Sequence, residues 1–397
     1  MFRQAIRILV LALACCAPVQ PSWCDSLSIY NSQMAPGPAA NAVNAGIVAL
    51  GKGDLTQAEQ WFQKALKIKR DEPHVLILMA DVAVRRKNPA QALLYLRTAV
   101  DKNPRSAAAE EAMGRYLADQ KQYAGAQSAL EKSVQLDPNW IVARITLGDF
   151  YLSRSKSADA LASYRAAVMS EPNNPNAHYS LAKGLEATGD HSSAEAEFRA
   201  SIRLAPQLPL THIALGDLLS RTGRSDAGFA EYETAARLEP HSGQALARIG
   251  MVEQMRGRSD LAEQAYRKAI LTEPNQLVAL NNLAWIDLQS PPKLNEALSF
   301  AQKAVQGAPT GQFLDTLGWV YHAKGNNQQA IFTLKKAIAA SPQDPEIHYH
   351  LAVVYEDSGR LADALDEMNK SLALNKDFPE AADAHRRAQD LTKRLHH

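Results

Sequence analysis

From Ala39 onward the sequence repeats itself every 34 residues. Successive units open at Ala39, Pro73, Ala107, Ile141, Pro175, Pro209, Gly243, Leu277, Gly311 and Pro345, ten in unbroken register, and the last closes at Phe378. A period of this length confines a chain to architectures in which one small supersecondary unit stacks on copies of itself. A unit that short cannot bury its apolar face alone, so the core must be continuous across neighbours.

Small residues recur at fixed places in the unit. Position eight is Gly46, Ala80, Gly114, Gly148, Ala182, Gly216, Gly250, Ala284, Gly318 and Ala352. Side chains no larger than a methyl at one point of every unit mark a close crossing of two helices. Position twenty is Ala or Gly in nine units, with Ala297 one step late in the eighth, and position twenty-seven is Ala or Ser in the same nine, with Ala304 one step late in the eighth. Larger apolar residues surround them, such as Leu147 and Leu215 at position seven and Phe62, Tyr164, Phe198 and Tyr232 at position twenty-four. The spacings seven to eight to eleven, and twenty to twenty-four to twenty-seven, are helical. Gly53, Gly189, Gly223, Gly257, Gly325 and Gly359 fall mid-unit, where a helix must end and reverse. Pro104, Pro138, Pro172, Pro206, Pro240, Pro274 and Pro342 stop the second helix. The eighth unit departs from the pattern, with a longer loop around Gln289, Ser290, Pro291 and Pro292.

These patterns predict an all-α chain with two helices per unit over 39–378, followed by a capping helix and tail over 379–397. On that last helix Ala382, His385, Ala388 and Leu391 are expected on or near one face, with Arg386, Arg387, Lys393 and Arg394 outward.

Leu147-Gly148, Tyr151, Ala160, Tyr164, Ala167 and Pro172 in one unit, and Leu317-Gly318, Tyr321, Gly325, Ala330, Ala337 and Pro342 in another, resemble the tetratricopeptide repeat (TPR). The resemblance implies a right-handed superhelical solenoid. Its first helices would line a concave groove through positions two, five, nine and twelve. Such grooves take extended segments of partner proteins. In units eight to ten these positions, or their neighbours, carry Asn281, Asn282, Trp285, Gln312, Asp315, Trp319, His322 and Tyr349. Two tryptophans one repeat apart, flanked by amides and acids, suit a peptide backbone or the hydroxyls and apolar faces of a sugar chain. The alternative is that both indoles pack between adjacent first helices. The phrases around Trp285, Trp319 and His348-Tyr349-His350 are also similar to exported TPR proteins of exopolysaccharide and exosortase-type (PEP-CTERM) systems. That similarity implies a scaffold for cell-envelope protein partners, with a polysaccharide-binding guide as the alternative.

Charge and motifs narrow the function classes. The 43 basic and 42 acidic residues leave a formal net charge of +1, with no basic block to grip nucleic acid. No phosphate loop, nucleophile elbow or paired metal motif occurs, so neither an enzyme nor a cofactor is expected. His178, His212 and His348 hold position four and are expected to pack within the helix pair.

The first 24 residues have the anatomy of an export signal. Arg3 and Arg7 precede the apolar run Ile8 to Ala17, and a short polar stretch ends at Cys24. Ten apolar residues are too few to span a bilayer. Cleavage before Asp25 would leave a linker over 25–38 and a periplasmic or secreted protein with no transmembrane span. Alternatively, Leu13-Ala14-Cys15-Cys16 would make Cys16 a lipidation site and anchor the protein to the membrane. All three cysteines, Cys15, Cys16 and Cys24, lie in this segment.

Overall fold

The computed structural model describes residues 37–396. The expected export signal, Cys15, Cys16, Cys24 and most of the linker lie outside the described residues. Among those residues are 21 α-helices, one 3-10 turn and no strand. They fall into two compact units, 37–206 and 207–396. The first carries α1 (Pro38–Gly51), α2 (Leu55–Ile68), α3 (Pro73–Arg85), α4 (Pro89–Lys102), α5 (Ala107–Asp119), α6 (Tyr123–Leu136), α7 (Ile141–Ser153), α8 (Ser157–Ser170), α9 (Pro175–Ala187) and α10 (His191–Leu204). The second carries α11 (Pro209–Arg221), α12 (Ser225–Leu238), α13 (Gly243–Met255), α14 (Ser259–Thr272), α15 (Leu277–Asp287), α16 (Leu294–Gly307), α17 (Gly311–Ala323), α18 (Asn327–Ala340), α19 (Pro345–Asp357), α20 (Leu361–Leu374) and α21 (Ala381–Leu395).

Helix starts coincide with the register because position one is where the backbone is prepared for it. Pro73, Pro175, Pro209 and Pro345 occupy the first helical turn, where a missing N–H costs nothing. Ser106, Asn174, Ser242, Thr310 and Asp344 cap the orphan amides with their side-chain oxygens.

The reversal inside each unit is a left-handed corner at position fifteen. Gly53, Gly189, Gly223, Gly257, Gly325 and Gly359 adopt φ between 73° and 84° there. In units two to four the same corner is forced on Lys87, Lys121 and Ser155, at φ 57°, 59° and 58°. The eighth unit has Pro291 at this position, and a ring that fixes φ near −65° cannot take the left-handed corner. The chain instead makes a 3-10 turn over Pro291–Lys293, which accounts for its longer loop.

Position eight is the crossing point of each pair. A Cβ on Gly148 would meet Tyr164 Cδ1 at 2.7 Å and Cζ at 2.9 Å, and one on Gly216 would meet Tyr232 Cδ1 at 2.8 Å. The rings of Phe62, Tyr164, Tyr232 and Tyr266 at position twenty-four lie on the bare backbone of Gly46, Gly148, Gly216 and Gly250 and are buried, as are the alanines at position twenty. His178, His212 and His348 tie the pair together, as expected. Each ring Nδ1 meets a carboxylate nineteen residues on, Glu197, Glu231 and Glu367, at 2.5–2.6 Å. Cores then run from pair to pair. In the second unit Leu246, Tyr266, Leu280, Leu283, Phe300 and Phe313 form one cluster across three repeats.

The capping helix differs from expectation in phase. It begins at Ala381, and its buried stripe is Ala381, Ala384, Ala388 and Leu391, while Ala382 and His385 are exposed. Arg387 and Arg394 turn back to Glu356 at 2.7 and 2.9 Å. The short alanines let the helix settle onto α20, and the guanidiniums follow the carboxylate on α19.

Candidate functional site

Successive first helices of each unit present charged side chains, and in most repeats these neutralise one another. In the first unit Arg85 Nε donates to Asp81 at 3.1 and 3.2 Å, Arg115 pairs with Glu111 at 3.0 Å, and Thr146 donates to Glu111 at 2.9 Å. In the second unit Asp217 accepts from Tyr232 and from Arg248, both at 2.7 Å.

Repeats eight to ten break this balance. His350 on α19 is buried and directs Nδ1 to both oxygens of Asp315 on α17, at 2.8 and 2.9 Å. Its ring stacks on Trp319 at 4.4 Å and lies 6.1 Å from Trp285. Both indoles are half-buried and meet the same imidazole, so each tryptophan is partly packed and partly open. Burial opposes charging of His350, but the contact with Asp315 and the nearby Glu380 and Glu346 outweigh it and raise the imidazole pKa to about 9. The raised value favours the imidazolium at neutral pH, with the Trp319 indole stacked on it.

A cleft of about 40 Å³ adjoins it, lined by Trp285, Gln312, Asp315, Asp344, Glu346 and Ile347. Burial, then repulsion from Glu380, Asp344 and Asp315, pushes the Glu346 carboxyl up to about 7 despite the partial offset from His350. Asp344 is also raised, by burial and by Asp315, although it accepts the Glu346 amide at 3.0 Å as a helix cap.

The expected site residues therefore separate. Trp285, Gln312, Asp315 and Trp319 converge on the cleft or its imidazole. Asn282 donates to Tyr266 at 2.9 Å and is committed to the helix pair. Asn281 donates to Asn282 at 3.3 Å, while its Oδ1 is buried without a hydrogen-bond partner among the described residues. His322 sits beside Trp319, 4.9 Å between ring centroids, and bonds to Asn327 at 2.9 Å. Tyr349 faces the other way: its hydroxyl donates to Asp383 of the capping helix at 2.7 Å, and its ring meets Phe378. Sequence reasoning passed over Glu346, Asp344 and His350. The register itself points to Glu346, which holds position two of the tenth unit. His350 holds position six, outside the groove set, and only its partner Asp315 reveals it.

Models of the tetratricopeptide repeat match residues 49–116 and 321–388, and a second such model matches 145–209 and 213–276. No curated protein matches the sequence significantly. Among solved structures, the APC/C hetero-tetramer Cut9-Hcn1 is similar at TM-score 0.51 and 15% identity, over 91% of this chain and 99% of that one. A tetratricopeptide repeat protein from Parabacteroides merdae is similar at TM-score 0.47 and 18% identity, over 61% of this chain and 95% of that one. Yeast Tom70 is similar at TM-score 0.47 and 16% identity, over 94% and 92%. At such identities the likeness is one of fold. The repeat matches together cover more than half of the sequence, their units coincide with the helix pairs, and the chain belongs to the tetratricopeptide-repeat family.

Proposed function

We propose that this chain is an exported scaffold of the cell envelope, and that a partner protein docks an extended segment on the first-helix face of repeats eight to ten. Tetratricopeptide repeats serve as protein-interaction scaffolds, and the family supports binding over catalysis. The observation that carries the choice of face is the half-open Trp285 beside a cleft rich in hydrogen-bond acceptors. The export reading rests on the basic start, apolar run and polar end of residues 1–24. No helix among the described residues is long and apolar enough to cross a membrane.

Two measurements test the reading. The double variant Trp285→Ala/Trp319→Ala is expected to lose the partners that wild type recovers from envelope extract while far-UV helicity is retained. Recovery of the same partners by the helical double variant refutes the face. Mass spectrometry of the mature chain tests export: an N-terminus at Asp25 supports signal cleavage, acylated Cys16 supports anchoring, and an intact Met1 in the cytoplasmic fraction refutes both. A polysaccharide guide is the second reading, favoured by the Gln312 amide beside the Trp285 indole.

A further inference from the structure

We infer that the cleft between α15, α17 and α19 recognises a basic side chain, Lys or Arg, carried on the extended segment that docks there. The inference rests on this face being the docking site. It follows from an imbalance that the other first-helix faces lack. Asp81 has Arg85, Glu111 has Arg115 and Asp217 has Arg248, each in direct contact. In the cleft, Asp315 has the buried His350, and Asp344 has only the backbone amides of Glu346 and Ile347. No ion pair among the described residues reaches Glu346, which shares the cleft with Asp344. Several carboxylates thus surround a single imidazolium. Acids held this close, in a partly desolvated place, are stabilised by an added cation.

The neutral groups point the same way. Trp285 lines the cleft with a half-exposed ring, and an indole face attracts ammonium and guanidinium groups. Together the site offers acceptors and a π-face, so the complementary ligand is a donor-rich cation. The volume of about 40 Å³ is near the share of one or two waters, which suits the head of one side chain. A neutral sugar would leave the carboxylates without counter-charge.

The test uses the mature chain labelled with 5-fluorotryptophan, whose Trp285 and Trp319 signals are assigned through Trp285→Phe and Trp319→Phe. Three probes are titrated: a blocked seven-residue Ser/Ala peptide with one central Arg, the same peptide with central citrulline, and cellohexaose. Citrulline keeps the size and planar shape of Arg but replaces one terminal NH2 with a carbonyl oxygen and has no charge. The Arg peptide is expected to shift the Trp285 signal and to bind about tenfold tighter than the citrulline peptide, the size of a charge-assisted contact. Glu346→Gln combined with Asp344→Asn, which keeps the helix cap, is expected to bring that ratio close to one. Equal binding of the two peptides to wild type, with Trp285 shifting, overturns the inference and leaves the docking face standing. A Trp285 shift with cellohexaose and neither peptide overturns the inference in favour of a glycan. No shift with any probe overturns both the inference and the docking face. An Arg preference that survives in the double variant removes these carboxylates as its cause.

Discussion

Gly148→Ala tests the packing logic of the whole repeat. In an exposed helix interior this substitution stabilises by about 1 kcal/mol, because glycine carries the larger conformational penalty. Here the new Cβ would lie 2.7 Å from Tyr164 Cδ1 and 2.9 Å from Cζ, closer still to Cε1. The ring would have to retreat by roughly 1 Å to restore ordinary contact near 3.5–4.0 Å. Two features block the retreat. The phenol hydroxyl donates to Asp149 at 2.7 Å, and the opposite ring edge abuts Gly184, where an ideal Cβ would be 2.8 Å from Cδ2. Overpacking of a rigid core costs about 1–3 kcal/mol, and a ring trapped on both edges belongs at the upper end. After the propensity gain, a net loss of about 1–2 kcal/mol is expected. The repeat supplies its own control, since Ala80 at the same position faces Leu96 without difficulty. Gly148→Ala/Tyr164→Leu should therefore recover part of the loss, giving a favourable coupling in a double-mutant cycle. Urea unfolding followed by circular dichroism measures all four corners. A stabilised Gly148→Ala single variant, or zero coupling, refutes the account of position eight.

Three further outcomes follow from particular residues. Lys121→Gly relieves a side chain held at φ 59° and is expected to gain about 0.5–1 kcal/mol in the same urea assay, after the glycine's extra unfolded-state freedom is subtracted; no gain contradicts the strain. His350 and Glu346 both titrate higher when folded, at about 9 and about 7, so each favours the folded state most below its unfolded value, near 6.5 and 4.5. The urea midpoint of this region should accordingly fall as pH rises from 5 to beyond 9, and Asp315→Asn should flatten the upper part; a rise over that range opposes the assignment. Tyr349→Phe deletes the bond to Asp383 and should cost about 1 kcal/mol, seen as faster hydrogen exchange in the capping helix, whereas unchanged exchange would return Tyr349 to the docking face.

What was legible and what was not divide along one physical line. Features set by backbone geometry recur through the units, so the register exposes them: the small residue at position eight in all ten, the corner at fifteen in nine, and the proline that ends most pairs. Even the exception was visible, because Pro291 cannot adopt the corner that Gly257 and Gly325 take. Side-chain partnership is different. The register gives a residue's angle on its helix but not the group it meets, and a polar side chain at a groove angle can be bound locally, as Asn282 and Tyr349 are. The decisive links connect position five of one unit with position six of the next. Glu111 to Thr146 and Asp315 to His350 are both 35 residues apart, one repeat plus one. That offset can be read from a sequence once it is known. Applied here it pairs Asp315 with His350, while Glu346, at position two, lies outside that link. A formal net charge of +1 conceals this, since neutrality over 397 residues says nothing about neutrality over one face. The proposed docking face is the place where that pairing between repeats runs out, beside Trp285.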